Sequence, residues 1–476
     1  MFIGRENELN YLNEKYLSKK AEFVVLYGRR RVGKTELLTE FCSDKPNLFY
    51  SCNEYTGKKQ FETFCSALLK FEPALLGQYR RFIDWNDAFS ALGDLPGDEK
   101  KVIVIDEFPY MCKGEPGVPS ILQNLWDRKL KNANIMLVIS GSSISFIEDE
   151  LLGVKNPLYG RATGIYKLEP MVFDDAVKFF PNYSNEEKII AFSILGGIPH
   201  YLKQFNSSAS LEENIKKNIL SKGTVLSEEV EYILHQELRE PAAYITLLET
   251  IATGSTKFNE ICECSQIESS KMSAYLRNLT ELGIITRDYP ALTKAKDYTK
   301  KNLGEYRIAD NFFKFWFAFV YKYSSALAQG SADEIWEYVI RPELHSFSSR
   351  AFENVSIEYL IKQRKKGNTP IVFLSIGRWW GKVTHRSEEG VAYTVSEEID
   401  VFAADPSESS FIIGECKFRN EPFDLSQLKA LQKKLERSGN KYYYLFSLNG
   451  FTEAVKEFSK NSGNITLVTL DDMLNS

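Results

Sequence analysis

Four short apolar runs mark the first third of the chain: FVVL (Phe23 to Leu26), NLFYSC, KVIVID (Lys101 to Asp106) and NIMLVISGS (Asn134 to Ser142). Each is short and bounded by polar or turn-forming residues, so each reads as a buried strand. Amphipathic stretches such as SILQNLWDRKLKN lie between them. Buried strands alternating with helices predict a parallel sheet in an α/β domain.

The pattern changes after about Glu169. DDAVKFF, EEKIIAFSILGGIPHYLKQF and LEENIKKNIL have helical spacing and predict a helical lid. From near Pro241, AAYITLLETIAT, FNEICECS and SSKMSAYLRNLTELGII read as three helices, followed by a turn-rich hairpin ending in EYRIAD. That is the winged-helix order. NFFKFWFAFVYKY reads as the core of a connector helix rather than a stacking platform. From roughly Arg350 the chain returns to mixed helix and strand. There, VFAAD and SFIIGECKF predict two strands joined by the turn PSESS.

Length and composition narrow the class. The chain has 476 residues, which suggests about three domains. Hydrophobic residues at 43% and charged residues at 26% are those of an ordinary soluble globular chain. A net charge of -5 neither advertises nucleic-acid binding nor excludes a local basic face. The 7 Cys are scattered, with no zinc spacing and no disulfide framework, and 4 His argue against a His-built metal site. The start MFIGRENELNYLNEKYL is too charged for a signal peptide, and there is no apolar run of about 18 residues. The expectation is a cytoplasmic protein with no membrane span.

GRRRVGKT matches GxxxxGKS/T, after a buried strand and before a helix, where the chemistry needs it. Its glycines let backbone N–H groups turn inward around phosphates, and the helix N-terminus adds a favourable dipole. The candidate nucleotide-binding set is Gly28, Arg29, Arg30, Arg31, Val32, Gly33, Lys34, Thr35 and Glu36. Lys34 would reach the β and γ phosphates of ATP, and Thr35 would give an oxygen to Mg2+. VIVIDEF delivers Asp106 to a strand's C-terminal end, where open α/β sheets bind ligands. Asp106 suits the magnesium shell, and Glu107 could orient or deprotonate the attacking water. An intervening strand, NLFYSC, separates the two motifs. That places the chain with NTPases having an added central strand, which hydrolyse ATP more often than they switch on GTP. In ISGSSIS, Ser140 and Ser142 are candidate sensors of γ-phosphate or water, against the plainer reading of a Ser-rich turn. Arg161 in YGRATG is a candidate finger for transition-state charge, against a structural salt bridge. Whether it acts in its own or a neighbouring subunit of a homo-oligomer stays open.

FIGRENEL, YGRRRVGKTEL, VIDEFPY, SGSSIS, LYGR and GGIPHYL, in this order, resemble the archaeal-type ATPase family of the signal-transduction branch of the AAA+ superfamily. The resemblance covers about residues 1 to 340. It implies adenine nucleotide, magnesium and a winged helix. It also implies that Arg5 and Glu6 lie near the adenine, and that Gly197 and Pro199 lie in a lid over the nucleotide. Members are known with a C-terminal domain resembling restriction-endonuclease-like folds.

In the winged-helix segment, Lys271, Arg277, Arg287, Lys294, Lys296, Lys300 and Lys301 give a local positive excess that could neutralise DNA phosphates. Glu260, Glu263 and Glu268 dilute it, so a packing or protein-contact module is the competing reading. Further on, Glu415 and Lys417 share one strand face by its period of two. With Asp400 on the preceding strand and Glu353 on the helix SSRAFENVSIEYLIKQ, the order resembles the PD-(D/E)xK nuclease superfamily. That resemblance implies Asp400, Glu415 and Glu353 around a magnesium ion, with Lys417 steadying reaction charge. Glu398 shares Asp400's face and is an alternative ligand. The plain alternative is a salt-bridged strand rim.

The expected fold is thus α/β and multidomain. It comprises a P-loop ATPase core at 1–170, a helical lid at 171–238, a winged helix at 239–310, a helical connector at 311–347 and a restriction-endonuclease-like α/β domain at 348–476. The expected partners are ATP and double-stranded DNA. The expected function is an ATPase that controls DNA binding or metal-dependent DNA cleavage. The alternative is an ATP-dependent signalling switch whose last domain only binds a partner.

Overall fold

A computed structural model describes residues 2–79, 81–153, 156–298, 303–386, 392–434 and 438–475. Lys300 and Lys301 lie outside the described residues. The chain forms two compact units: Met1–Met171 with Ile198–His200, and Val172–Gly197 with Tyr201–Ser476.

The first unit is built on five parallel strands: β1 (Glu22–Tyr27), β2 (Asn47–Ser51), β3 (Lys101–Asp106), β4 (Ile135–Gly141) and β5 (Gly164–Lys167). Their order is β2-β3-β4-β1-β5. Every residue of β1 and β4 is buried, which is why these strands read as continuous apolar runs and not as alternating ones. Phe23, Val25, Ile103, Ile105, Leu137 and Ile139 belong to one core with Phe64, Trp85 and Phe89 of the flanking helices. The strand order corrects one expectation. NLFYS is the edge strand β2, and the strand standing between β1 and β3 is β4. Chain order put NLFYSC between the two motifs, whereas the crossover connections put NIMLVISG there. Edge strand β5, whose burial alternates between partial and exposed, carries too weak an apolar pattern to be read from sequence.

The second unit begins with helices, including Asn185–Leu195, whose start is fixed by a reciprocal Ser184–Glu187 capping box. Helices Pro241–Ala252, Phe258–Ser265 and Ser269–Glu281 lead to an antiparallel pair, β6 (Ile285–Asp288) and β7 (Glu305–Ile308). The aromatic stretch after it is helical, with Phe312, Phe313, Phe315 and Trp316 buried, in keeping with its reading as core. The long helix Arg341–Lys365 then packs by Phe352 against Phe418, ring centroids 5.4 Å apart. A mixed sheet completes the unit: β8 (Ile376–Arg386), β9 (Ala392–Ala404), β10 (Ser410–Lys417), β11 (Asn440–Ser447) and β12 (Ile465–Thr469). Its order is β12-β11-β10-β9-β8, with β8, β9 and β10 antiparallel and β10, β11 and β12 parallel. The β9–β10 hairpin is the one the PSESS turn predicts.

Candidate functional site

The C-terminal ends of β1, β3 and β4 deliver three polar segments to one edge of the first sheet. Tyr27 is level with Gly141, and Ile105 with Ile139, so the loop after β1, Asp106 and Ser140–Ser142 emerge together. The helix Lys34–Cys42 starts directly after Gly33, which sits at φ 97°. Gly28 also has positive φ, and a Cβ there would lie 2.4 Å from the Leu168 carbonyl oxygen. Only glycine fits that approach.

The polar side chains at this edge are interlocked. Lys34 Nζ donates to the carbonyl oxygens of Gly28 at 2.8 Å and Arg29 at 3.1 Å, and to Ser142 Oγ at 3.0 Å. Thr35 Oγ1 donates to Asp106 Oδ2 at 2.7 Å, and Ser140 Oγ donates to the other carboxylate oxygen. Ser142 donates to Glu107 through its backbone N–H at 3.1 Å and through its hydroxyl. Glu107 is held at φ 54°, in the left-handed region. That conformation is costly for a residue with a Cβ, by roughly 1–2 kcal/mol, and turns the side chain away from the strand direction. Thr35 and Asp106 offer a hydroxyl and a carboxylate side by side, the hard oxygen donors that magnesium takes.

The remaining expected contacts divide. Arg5 is buried and donates to the Val32 carbonyl at 3.1 Å and to Glu8 at 2.8 Å, so it braces the loop. Arg30 donates to the Tyr110 hydroxyl at 3.2 Å, and Arg31 takes φ 67°. Pro199 lies over the loop, with its Cγ 3.6 Å from where a Gly33 Cβ would be, and Glu36 Oε2 lies 3.8 Å from the same point. Arg161 donates to the Tyr159 carbonyl at 2.9 Å and pairs with Asp127 at 3.1 Å, so its guanidinium is engaged by a surface carboxylate.

In the second unit, Asp400 on β9 and Glu415 on β10 act on each other electrostatically. Burial first, then Glu415 and Glu353, raises Asp400 to about 7. Asp400 Oδ2 accepts from the Cys416 N–H at 2.9 Å. Against the upward push of burial, Lys417 and then Lys434 hold Glu415 below the usual carboxylate value. Their ammonium groups are 2.6 Å and 3.0 Å from its two oxygens. Glu353 pairs with Arg350 at 2.5 Å, and Glu398 pairs with Arg378. Asp400 rather than Glu398 is therefore the carboxylate that interacts with Glu415. Among the described residues no group of three or more His, Cys, Asp or Glu could hold a metal ion.

Residues 2–205 match a family described as "ATPase domain predominantly from Archaea". The uncharacterized protein MJECL04 of Methanocaldococcus jannaschii is 34% identical over 478 residues, spanning 99% of this chain and 100% of that one. The chain belongs to this archaeal ATPase family. Residues 316–434 match a second family, described as "Archaea bacterial proteins of unknown function". The uncharacterized ATP-binding protein MJ0423 of the same organism is 49% identical over 45 residues, 10% of this chain and 76% of that one. Among solved structures, the Walker-type ATPase PABY2304 of Pyrococcus abyssi is similar at a TM-score of 0.49 and 21% identity, covering 66% of this chain and 96% of that one. ORC2 of Aeropyrum pernix, in ADPNP and ADP complexes, reaches 0.42 and 12%, covering 69% and 95%. At these scores neither likeness carries weight for function.

Two residues of the chain carry no sequence signal for the contacts they make. Lys434, just past the helix Leu425–Lys433, neutralises Glu415, but nothing in KALQKKLE distinguishes it from its neighbours. Tyr110, after VIDEF, meets Arg30 only because the loop after β1 and the helix after β3 share one sheet edge.

Proposed function

We propose that the chain binds and hydrolyses ATP with magnesium, and couples nucleotide state to DNA binding or metal-dependent DNA cleavage by its C-terminal domain. The observation that carries the ATPase half is the joining of Lys34, Thr35, Asp106, Glu107, Ser140 and Ser142 by hydrogen bonds at one sheet edge. Lys34 donates to two carbonyl oxygens of its own loop, which aims its ammonium at the space the loop encloses, where phosphate oxygens of ATP would be held. Thr35 and Asp106 are the residues that would hold magnesium, which when bound offsets charge on the phosphates. Glu107, aimed by its backbone and by Ser142, orients the attacking water or takes its proton. Arg5, the loop residues Arg29 to Val32 and Pro199 frame the nucleotide. Arg161 would have to leave Asp127 to act as a finger, in its own or a neighbouring subunit.

Separate measurement of ATP affinity and phosphate release tests this half. Lys34→Ala should weaken ATP at least tenfold and abolish turnover. Glu107→Gln keeps the shape without the base, so binding stays and turnover falls by about a hundredfold or more. Normal turnover in Glu107→Gln would remove Glu107 from the chemistry.

Other observations bear on the DNA half. Three helices followed by β6–β7 have the winged-helix order, with Lys294 and Lys296 exposed between the strands. Asp400, Glu415 and Lys417 share one region of a mixed sheet flanked by helices, and two carboxylates with a lysine suit a magnesium-dependent phosphodiesterase. The competing reading, a switch whose last domain only binds a partner, is favoured by the two lysines that already neutralise Glu415. Nicking of plasmid DNA, with and without ATP and magnesium, separates them. Nicking lost in Asp400→Asn supports cleavage, and its absence under every condition leaves the binding-only domain.

A further inference from the structure

A cavity of about 870 Å³ opens within the second unit between β6–β7, the helix Asn311–Phe315, the helix Arg341–Lys365 and β8. Its size is that of a small-molecule site. One wall is the loop after β6: the Ala291 N–H donates to the Arg378 carbonyl at 2.8 Å, and Ala291 and Leu292 pack against the core of the C-terminal sheet. The lining carries more cations than acids, although Arg378 is paired with Glu398 outside it. Arg287, Arg307, Lys314, Arg350 and Arg378 outnumber the lining acids Asp288, Glu353 and Asp400.

The cations are not all satisfied. Arg307 pairs with Asp288 and Arg350 with Glu353, yet the Nε of each arginine is buried without a hydrogen-bond partner among the described residues. An orphaned charged donor of this kind is costly unless a ligand takes it. Lys314 has no carboxylate partner among the described residues, and its ammonium lies 4.7 Å from the Phe347 ring centroid. Burial first, then Arg350 and Arg307, pushes Lys314 down to about 8, and burial followed by Arg350 and Arg378 pushes Arg307 down to about 9, in both cases against the opposing pull of Glu353. An anion in the cavity would relieve both. The walls also offer flat aromatic faces: Trp380, and Tyr289 stacked on Tyr298 at 4.4 Å. Fixed cations beside aromatic planes are what a phosphate bearing a base requires.

We propose that this cavity is a second nucleotide site, distinct from the phosphate loop, in which Arg307, Lys314 and Arg350 hold a terminal phosphate and Trp380 or the tyrosine pair faces the base. The ligand chemistry is a phosphate monoester on a nucleoside, supplied either by a free nucleotide or by the phosphorylated end of a nucleic-acid strand. The site goes beyond the ATPase reading, and because Asp400 and Glu353 line the same cavity, its strand-end form deepens the DNA-cleavage reading and rests on it.

The test uses the full chain carrying Lys34→Ala, so that binding at the phosphate loop is weakened, and the cavity substitutions below assign what remains. Calorimetric titration with AMP, and with a short single strand bearing either a 5′-phosphate or a 5′-hydroxyl, distinguishes the two sources. Saturable binding of AMP assigns a free nucleotide. Binding of the 5′-phosphate strand at least tenfold tighter than the 5′-hydroxyl strand assigns a strand end. In either case Lys314→Met, which keeps the packing on Phe347, should weaken binding at least tenfold, and Arg350→Gln should do the same. No saturable binding of any probe, or equal affinity in Lys314→Met, overturns the proposal. ATP turnover of the chain with Lys34 intact is read separately, so failure here is distinct from failure of the ATPase reading.

Discussion

At the scale of single residues, buried charge sets a pH dependence. Glu358, on the helix Arg341–Lys365, accepts from the Phe173 N–H at 3.0 Å. Burial raises it to about 7 despite that hydrogen bond, and Asp174 adds to the rise. Its folded value lies above its unfolded one, so the folded state keeps a proton that the unfolded chain releases. The cost to folding is absent below the unfolded value near 4.5, grows through the interval, and is complete above about 7. Glu358→Gln, neutral throughout and still an acceptor for Phe173, should therefore stabilise the fold by about 1–3 kcal/mol at pH 8 and by little at pH 4. Denaturant unfolding of both proteins at the two pH values checks it, and an equal gain at both would mean charge is not the cause. The same scale shows what a sequence can and cannot yield. Lys34, Thr35 and Asp106 are legible because phosphate chemistry demands those types at those places, and Gly28 because a Cβ would run into Leu168. Arg161's engagement with Asp127 and Lys434's with Glu415 are not legible, because each joins residues whose nearness only the tertiary fold creates.

At the scale of elements, strands with continuous apolar runs were legible and their order was not. β1, β3 and β4 announce themselves because both faces of a parallel strand are buried. Their neighbours are decided by crossovers, which is why β2 and β4 exchange the places that chain order suggests. β8 is not legible because GRWWGKVTHR mixes glycine, charge and aromatic residues with no clean alternation. The loop after β6 docks on that strand, which no periodicity could announce. Leu292 holds the dock with its side chain while its own backbone sits at φ 68°. Leu292→Asp should release it, since Asp tolerates the left-handed backbone better than Leu and the loss is one of apolar packing alone. The expected result is faster amide exchange in β6 and β7, with the helix Pro241–Ala252 unchanged. Exchange unaltered in β6 and β7 would show that the Ala291–Arg378 hydrogen bond suffices.

At the scale of the whole molecule, two compact units with separate cores predict two unfolding events. Phe23, Ile103 and Leu137 belong to one core, and Ile399, Ile413 and Leu445 to another. A ligand that binds only the folded form stabilises the unit it binds by RT ln(1 + [L]/Kd), about 2.7 kcal/mol at a hundredfold excess over Kd. ATP with magnesium should therefore move the transition of the unit containing Lys34 and leave the other in place, and Lys34→Ala should remove the shift. Magnesium or manganese alone acts on the second unit if Asp400 and Glu415 bind it. In that case Asp400→Asn removes the metal-dependent shift but spares the ATP-dependent one. Trp85 and Trp126 report on the first unit, and Trp316, Trp336, Trp379 and Trp380 on the second, so single-tryptophan variants followed during heating assign each event. A single transition that ATP moves as a whole would mean that the two units unfold as one, and the separate cores would then not be separate in energy.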